Sequence, residues 1–490
     1  MDEPSNMSTT SSKIPQYDFY SDVDNLHPDQ FRIQCLPGRN FISPLVEQKK
    51  DFVKAHVIHD KDLDIMYDPM PKGKCNISQS CLTLPLACPR VSLHFDPSKT
   101  TVAMVTCGGV CPGLNDVIRG ITLAAVCSYH VKKVIGFKYG YWGLSKAGRH
   151  TAIELTSNIV RGLRHLGGTF LGTSRGGQNI SDMVDTLVEY GVNILFTIGG
   201  DGTQKGAVAI SEEVNRRGLD IAVFGIPKTI DNDLSFSQRT FGYETAVSEA
   251  VIAIRAAHAE AISHEYGVGI VKLMGRNSGF IAASATVASA LSHICLIPEK
   301  NVSKKVLLSL IEARFMMAKD IVIVVAEGFG QDWPDCNEDL GSDASGNKRL
   351  TDIGLVIKKI VQDHLSKNPK YHQSTVKYID PSYMIRACPA STSDAAFCSN
   401  LSTLAVHEAM AGRTACLITL WYSNFVLVPI KTAVSHRKIV STGGALWRQV
   451  REVTVDGSGD IAMVHQQELS RELKAINAHR NSIMEQLSKL

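Results

Sequence analysis

No apolar run in this sequence reaches the ~18 residues that a membrane-crossing helix requires, so no such helix is expected. No Cys-x-x-Cys pair occurs among its twelve cysteines, and none has histidine partners at zinc spacing. Cys107 and Cys111 flank a glycine turn, but a metal there lacks its other ligands. The thiols therefore read as reduced and mostly structural, in an intracellular compartment. No long basic run accompanies the net charge of +3, which argues against a nucleic-acid or membrane partner. The amino terminus lacks the charged-then-apolar pattern of an export signal. It opens polar and Ser/Thr-rich, and reads as disordered to about Lys13. No internal duplication is present, so one copy of the working unit is expected.

What remains is ordinary globular material: 490 residues, 44% hydrophobic and 20% charged, enough for two or three domains and a large core. The informative part is a pair of apolar runs that each break into a turn carrying carboxylates. Phe196-Thr-Ile-Gly-Gly-Asp-Gly-Thr203 is one; Val223-Phe-Gly-Ile-Pro-Lys-Thr-Ile-Asp-Asn-Asp233 is the other. Buried parallel strands deliver polar residues this way to their carboxyl ends, where open α/β sheets hold ligands. A helical pattern from about Gln204 to Arg217 separates them, which makes one strand–helix–strand unit and turns Asp201, Asp231 and Asp233 towards one cleft. Asp201 lies between Gly200 and Gly202, so backbone amides can approach a phosphate while the carboxylate meets its metal ion. Asp231 and Asp233, two apart, point the same way on an extended backbone. Carboxylates gathered in a phosphate cleft repel one another unless Mg²⁺ or a substrate proton divides their roles.

Further strand–turn units surround this pair. Thr101–Thr106 reads as a strand that turns at Cys107-Gly108-Gly109-Val110-Cys111-Pro112-Gly113 into a helix from Asp116 to Ser128. Glycines ahead of a helix amino terminus suit phosphate binding. Val134–Phe137 leads into Tyr139-Gly140-Tyr141-Trp142, whose rings either line an adenine pocket or pack in the core. Gly267–Leu273 ends in Met274-Gly275-Arg276, and Ile321–Ala326 ends in Glu327. Gly328 to Arg349 reads as a mobile acidic surface insertion.

Together these segments resemble the signatures of the 6-phosphofructokinase family: Gly-Gly-Asp-Gly-Thr, Pro-Lys-Thr-Ile-Asp-Asn-Asp, Met-Gly-Arg, and Asp380-Pro-Ser-Tyr383-Met-Ile-Arg386. The resemblance runs from about Thr100 to Val440. It implies an α/β fold of two Rossmann-like parallel-sheet domains, with a nucleotide domain over 96–240 and 386–440 and a sugar-phosphate domain over 241–385. An amino-terminal extension (1–95) and a helical carboxyl-terminal tail (441–490) flank them.

The activity implied is transfer of the γ-phosphoryl of ATP to fructose 6-phosphate. Asp231 would be the base, and Thr229, Lys228, Arg276 and Arg175 would hold the moving phosphoryl group. Gly108, Gly109, Gly200, Gly202 and Thr203 would face ATP. Mg²⁺ would sit at Asp201, with Asp233 assisting. Met274, Gly275, Glu327, Lys377, Tyr383 and Arg386 would join Thr229, Asp231, Asp233 and Arg276 around the sugar phosphate. The family also implies a homotetramer that responds to nucleotides, AMP among them.

Two departures stand out. Val110 replaces the family's usual Asp. The segment His264-Glu265-Tyr266-Gly267 lacks the arginine by which bacterial-type members reach across a subunit boundary, so that contact comes from elsewhere or is absent.

The phosphoryl donor is written in two positions. Pyrophosphate-using members carry Asp where this chain has Gly202, and Lys where it has Lys228. A carboxylate at 202 obstructs the path of an α-phosphate by bulk and like charge; Gly202 leaves the path open, and ATP is expected. The combination resembles the ATP-using members of kinetoplastid glycosomes. The alternatives are pyrophosphate transfer on the same fold, a lipid or NAD kinase, which shares only the Gly-Gly-Asp-Gly-Thr element, and a silent nucleotide or sugar-phosphate sensor. The final Ser488-Lys489-Leu490 reads as an address for the peroxisomal import receptor and so for a glycosome.

Overall fold

The computed structural model of the protein describes residues 19–20, 28–48, 64–66, 83–336, 340–342 and 348–454. The strand-like patch Ala55–Ile58, the polar segment from Asp460 and the Ser488-Lys489-Leu490 terminus lie outside them.

Runs of Val, Ile, Leu and Phe long enough for strands but too short for helices form the framework. In chain order they are β1 (Thr101–Thr106), β2 (Lys133–Phe137), β3 (Ile153–Glu154), β4 (Ile194–Gly199) and β5 (Ala222–Pro227). Then come β6 (Gly267–Leu273), β7 (Ile294–Leu296), β8 (Asp320–Ala326), β9 (Thr375–Ile379), β10 (Cys416–Trp421) and β11 (Asn424–Pro429). The first sheet has the order β11-β10-β5-β4-β1-β2-β3, the second β7-β8-β6-β9. The second is wholly parallel. The first is parallel from β10 to β2, with antiparallel strands β11 and β3 at its two edges. Those edges are the one departure from a parallel sheet, and they fall where a central apolar strand is no longer required.

Every residue of β1, β4, β5 and β6 is buried, because helices cover both sheet faces. A fully buried Val, Leu, Ile or Phe contributes roughly 1.5–3 kcal/mol, so such strands anchor the loops at their carboxyl ends. Helices α1 (Leu114–Leu123) and α2 (Asp201–Arg216) follow β1 and β4. Helix α3 (Tyr243–Ile262) crosses to the second sheet, where α4 (Phe280–Ser289), α5 (Ile353–Leu365) and the short α6 (Ser382–Ala387) belong. Helix α7 (Thr392–Met410) returns the chain to the first sheet, and α8 (Ala445–Val453) packs against α4.

Three local expectations change. The helix after the first glycine turn begins at Leu114 and ends in a widened turn, Ala124–Ser128, whose last link runs from Tyr129 N to Ala124 O. Tyr129 is thereby seated in the core with its hydroxyl 2.8 Å from His407 Nδ1. Of the acidic insertion, Phe329, Trp333 and Cys336 are core residues of the second domain. The apolar side chains override the loop-like composition around them. Segment 83–95 is equally built in: buried Arg90 pairs with buried Glu408 at 3.0 Å, and Cys88 N donates to the same oxygen.

Candidate active site

The carboxyl ends of β1, β4 and β5 converge. The turn after β1 carries Gly108 and Gly109; Thr173 Oγ1 donates to Gly108 O, and Gly108 N to Ser174 O, which brings Arg175 alongside. A side-chain carbon at Gly109 would lie 3.8 Å from the Arg175 guanidinium, and one at Gly108 would lie 3.7 Å from Lys228 Nζ. The chain enters α1 through Gly113, at φ +95°, where a side chain would press within 2.7 Å of Cys398 Sγ. Only glycine fits that entry.

After β4, Asp201 opens α2, with Gly200 as the residue before it. Gln204 holds this turn in place by donating to Thr197 O, Gly199 O and Ile226 O. Thr203 is buried, and its carbonyl accepts from Tyr141. Tyr141 is thus a core residue, while Tyr139 is exposed and meets Trp142 edge to face. Gly202 faces open space.

A small, partly open cavity is lined by Gly199, Gly200, Asp201, Pro227, Lys228, Thr229, Asp233, Leu234, His436 and Arg437. Lys228 is buried, which lowers its pKa; the neighbouring Cys111, Cys107 and Asp231 oppose that shift. Thr229 Oγ1 donates to Asp233 Oδ1 at 2.5 Å. Asp201 pairs with Lys205 at 2.9 Å and lies 3.6 Å from Arg437.

Asp231 does not line this cavity. The backbone is not extended here: Asn232 adopts φ +55° and its side chain bonds Thr240 N and Gln238 O, so the loop turns. Asp231 is carried towards the second sheet, where Arg276 N donates to it at 3.5 Å and Ser278 Oγ donates to its carbonyl. Part of its surface stays open, but protein surrounds it densely. That burial, followed by the charges of Asp233 and Glu327, pushes its pKa up to about 8.

On the second sheet, Met274 is buried and Gly275 takes φ +131°, with Ser278 O only 2.5 Å from where a side chain would begin. Arg276 Nη1 donates to Lys348 O at 2.6 Å, so the far end of the acidic insertion touches the site. Glu327 N donates to Leu273 O, and burial raises its carboxyl pKa against the pull of Arg276 and Lys272. Of the three expected anion-binding side chains, Arg386 stacks on Tyr383 at 4.5 Å and keeps a buried Nε without a hydrogen-bond partner. Lys377 instead lies 3.5 Å from Glu260 of α3.

With this geometry in place, comparison with known proteins is decisive. The family model for phosphofructokinase matches residues 101–409. This chain belongs to the phosphofructokinase family. It is 56% identical to "ATP-dependent 6-phosphofructokinase" of Trypanosoma cruzi (strain CL Brener) and 54% identical to that of Trypanosoma brucei brucei, over 96% of each chain in both cases. It is 42% identical to "ATP-dependent 6-phosphofructokinase" of Amycolatopsis methanolica, over 88% of this chain and 95% of the other. Among solved structures, a pyrophosphate-dependent phosphofructokinase from Nitrosospira multiformis superposes with TM-score 0.60 at 19% identity, over 72% of this chain and 91% of that one. The Pichia pastoris phosphofructokinase does so with TM-score 0.56 at 23% identity, over 70% and 39%. At those identities the structural likeness speaks to the phosphofructokinase fold.

Several phosphofructokinase residues escaped the motif reading. Lys272 bridges Asp352 and Asp380 at 2.9 and 2.8 Å, and Tyr378 donates to Asp352. Asp352 also caps α5, and Asp380 accepts from Ser382 N at the start of α6. Lys272 thus ties the strand before Met274-Gly275-Arg276 to the loop before Tyr383 and Arg386. A lysine inside an otherwise apolar strand was the available signal. Glu299, which accepts from Gly279 N and Val440 N, gave none.

Proposed function

We propose that the protein phosphorylates fructose 6-phosphate at its 1-hydroxyl with MgATP, giving fructose 1,6-bisphosphate and ADP in a committed step of glycolysis. The observation that carries this is the seat of Asp231, which joins the phosphate cavity of the first sheet to the Met274-Gly275-Arg276 loop of the second.

Asp231 accepts the hydroxyl proton as the sugar oxygen attacks. The transferring group is largely metaphosphate-like, so orientation and charge neutralisation do most of the work. Lys228, Thr229, Arg276 and Arg175 meet its oxygens. Gly108, Gly109, Gly200, Gly202 and Thr203 let backbone close on the nucleotide. Met274, Gly275, Glu327 and Arg276 take the sugar, and Lys377, Tyr383 and Arg386 its 6-phosphate.

Asp201 and Asp233 supply hard oxygen donors in one cavity. Among the described residues no group of three or more His, Cys, Asp or Glu could hold a metal unaided. These two carboxylates, completed by phosphate oxygens and water, would hold Mg²⁺, which would supply charge neutralisation for the phosphates.

The same reading extends to a homotetramer, supported by the exposed apolar Ile252 on α3 and Tyr383 and Met384 on α6, helices that pack together. It extends also to glycosomal delivery through the peroxisomal import receptor, supported by Ser488-Lys489-Leu490 where these stand at a free carboxyl terminus. Light scattering and import of a tagged chain test these two points.

The function itself is tested by following fructose 1,6-bisphosphate with Mg²⁺, fructose 6-phosphate, and either ATP or pyrophosphate. Product with ATP alone is expected. Product with pyrophosphate alone makes Lys228 the better guide to the donor, and no product with either donor favours a sensor.

A further inference from the structure

Residues 435–441 lie beyond the family-matched 101–409, yet they close one wall of the phosphate cavity through His436 and Arg437. This segment is locked in place. Arg437 bridges Leu234, Lys438 N donates to Asp233 O at 2.9 Å, and Ser235 Oγ donates to His436 O at 2.9 Å. The buried Lys438 side chain donates to Ser237 O at 2.6 Å, and Val440 N donates to Glu299 beside α4.

From that fixed backbone Arg437 Nη2 comes within 3.6 Å of Asp201 Oδ2, the oxygen that also receives Lys205 Nζ at 2.9 Å. A carboxylate suited to a divalent cation is therefore attended by two side-chain cations. The Arg437 side chain is 43% exposed, so the pair is weakly held and free to re-form elsewhere. With Asp201 given over to a divalent cation, the guanidinium would lose its partner there; it already belongs to the wall of the cavity and can meet phosphate oxygens at two nitrogens.

We propose that Arg437 is a nucleotide-phosphate contact, held on Asp201 until a divalent cation takes that carboxylate. This rests on reading the cavity as the MgATP site. It makes Arg437 a competitor of the free cation and an ally of the cation–nucleotide complex, two effects of opposite sign that a merely structural residue would not produce.

The test uses the full chain, with a non-hydrolysable ATP analogue plus Mg²⁺ followed by calorimetry, and Mn²⁺ alone followed by electron paramagnetic resonance. For Arg437→Met, affinity for the Mg²⁺–analogue complex should fall about tenfold, the loss of one charge-assisted contact, while Mn²⁺ alone should bind at least as tightly as before. Lys205→Met should tighten Mn²⁺ without weakening the analogue, and Arg437→Lys should recover part of the lost affinity. Unchanged analogue binding in Arg437→Met overturns the proposal. So does a parallel loss of analogue and Mn²⁺ binding with a lowered melting temperature, which makes Arg437 a strut. Wild-type protein that binds no analogue removes the reading of the cavity itself, and this proposal with it.

Discussion

The backbone amide of Arg276 donates to the Asp231 carboxylate across 3.5 Å, and so joins two loops that belong to different sheets. Asp231 ends the segment after β5, and Arg276 ends the segment after β6. A hydroxyl bound on the Arg276 side therefore meets a base delivered from the phosphate side.

Asp231→Ser should bind both substrates yet lose about two to four orders of magnitude in kcat, the usual range for a positioned base. The base works deprotonated, and burial, with Asp233 and Glu327 nearby, pushes its pKa up to about 8. Hence kcat/KM, which reports the free enzyme, should decline as pH falls from about 8. A decline confined to the ordinary carboxylate range, or near-normal turnover of the serine variant, removes the assignment.

Gly202 faces open space, so a substitution there alters the site without disturbing packing. Gly202→Ala should melt no lower than the wild type and weaken ATP turnover far less than an aspartate does. Gly202→Asp should melt like the wild type and lose ATP turnover. An aspartate variant with full ATP activity ends the argument that residue 202 sets the donor.

Lys272→Met leaves Asp352 and Asp380 facing each other without their cation. Both carboxylates are a third exposed, which screens the loss, so about 1–3 kcal/mol of stability is expected to disappear in urea titration. Because Lys272 ties the Met274–Arg276 loop to that of Tyr383 and Arg386, KM for fructose 6-phosphate should rise more than KM for ATP. Equal KM values beside a lowered urea midpoint would make the network purely structural.

His407, buried against Tyr129, is held neutral by burial, with its pKa lowered to about 4. The folded state then binds fewer protons than the unfolded one below pH 6.5. Its contribution is complete above that value and is lost as pH falls towards 4, on the order of 3 kcal/mol in all. His407→Phe should flatten the acid limb of stability against pH. Part of the slope that remains belongs to His293, whose pKa burial also lowers to about 4. An unchanged limb would show that His407 is already charged in the folded protein.

Strand identity and loop chemistry were legible in the sequence because both are local. A run such as Ile194–Gly199 has to be buried, and a glycine–aspartate turn after it has to face a sheet edge. Asp201 and Asp233 were found this way, Lys228 and Thr229 through the resemblance of their loop to the family's, and the structure lines one cavity with all four. Three things were decided only by tertiary structure. Asp231 parts from Asp233 because Asn232 takes a left-handed turn pinned by Thr240 and Gln238. Phe329, Trp333 and Cys336 draw the start of an acidic insertion into a core that its composition conceals. Arg437 reaches Asp201 across more than two hundred residues, because residues 436–438 are bonded to the loop that carries Asp233. Spacing along a chain records which atoms one strand can present; which distant strand stands opposite is settled by packing and hydrogen bonding, to which local sequence is blind.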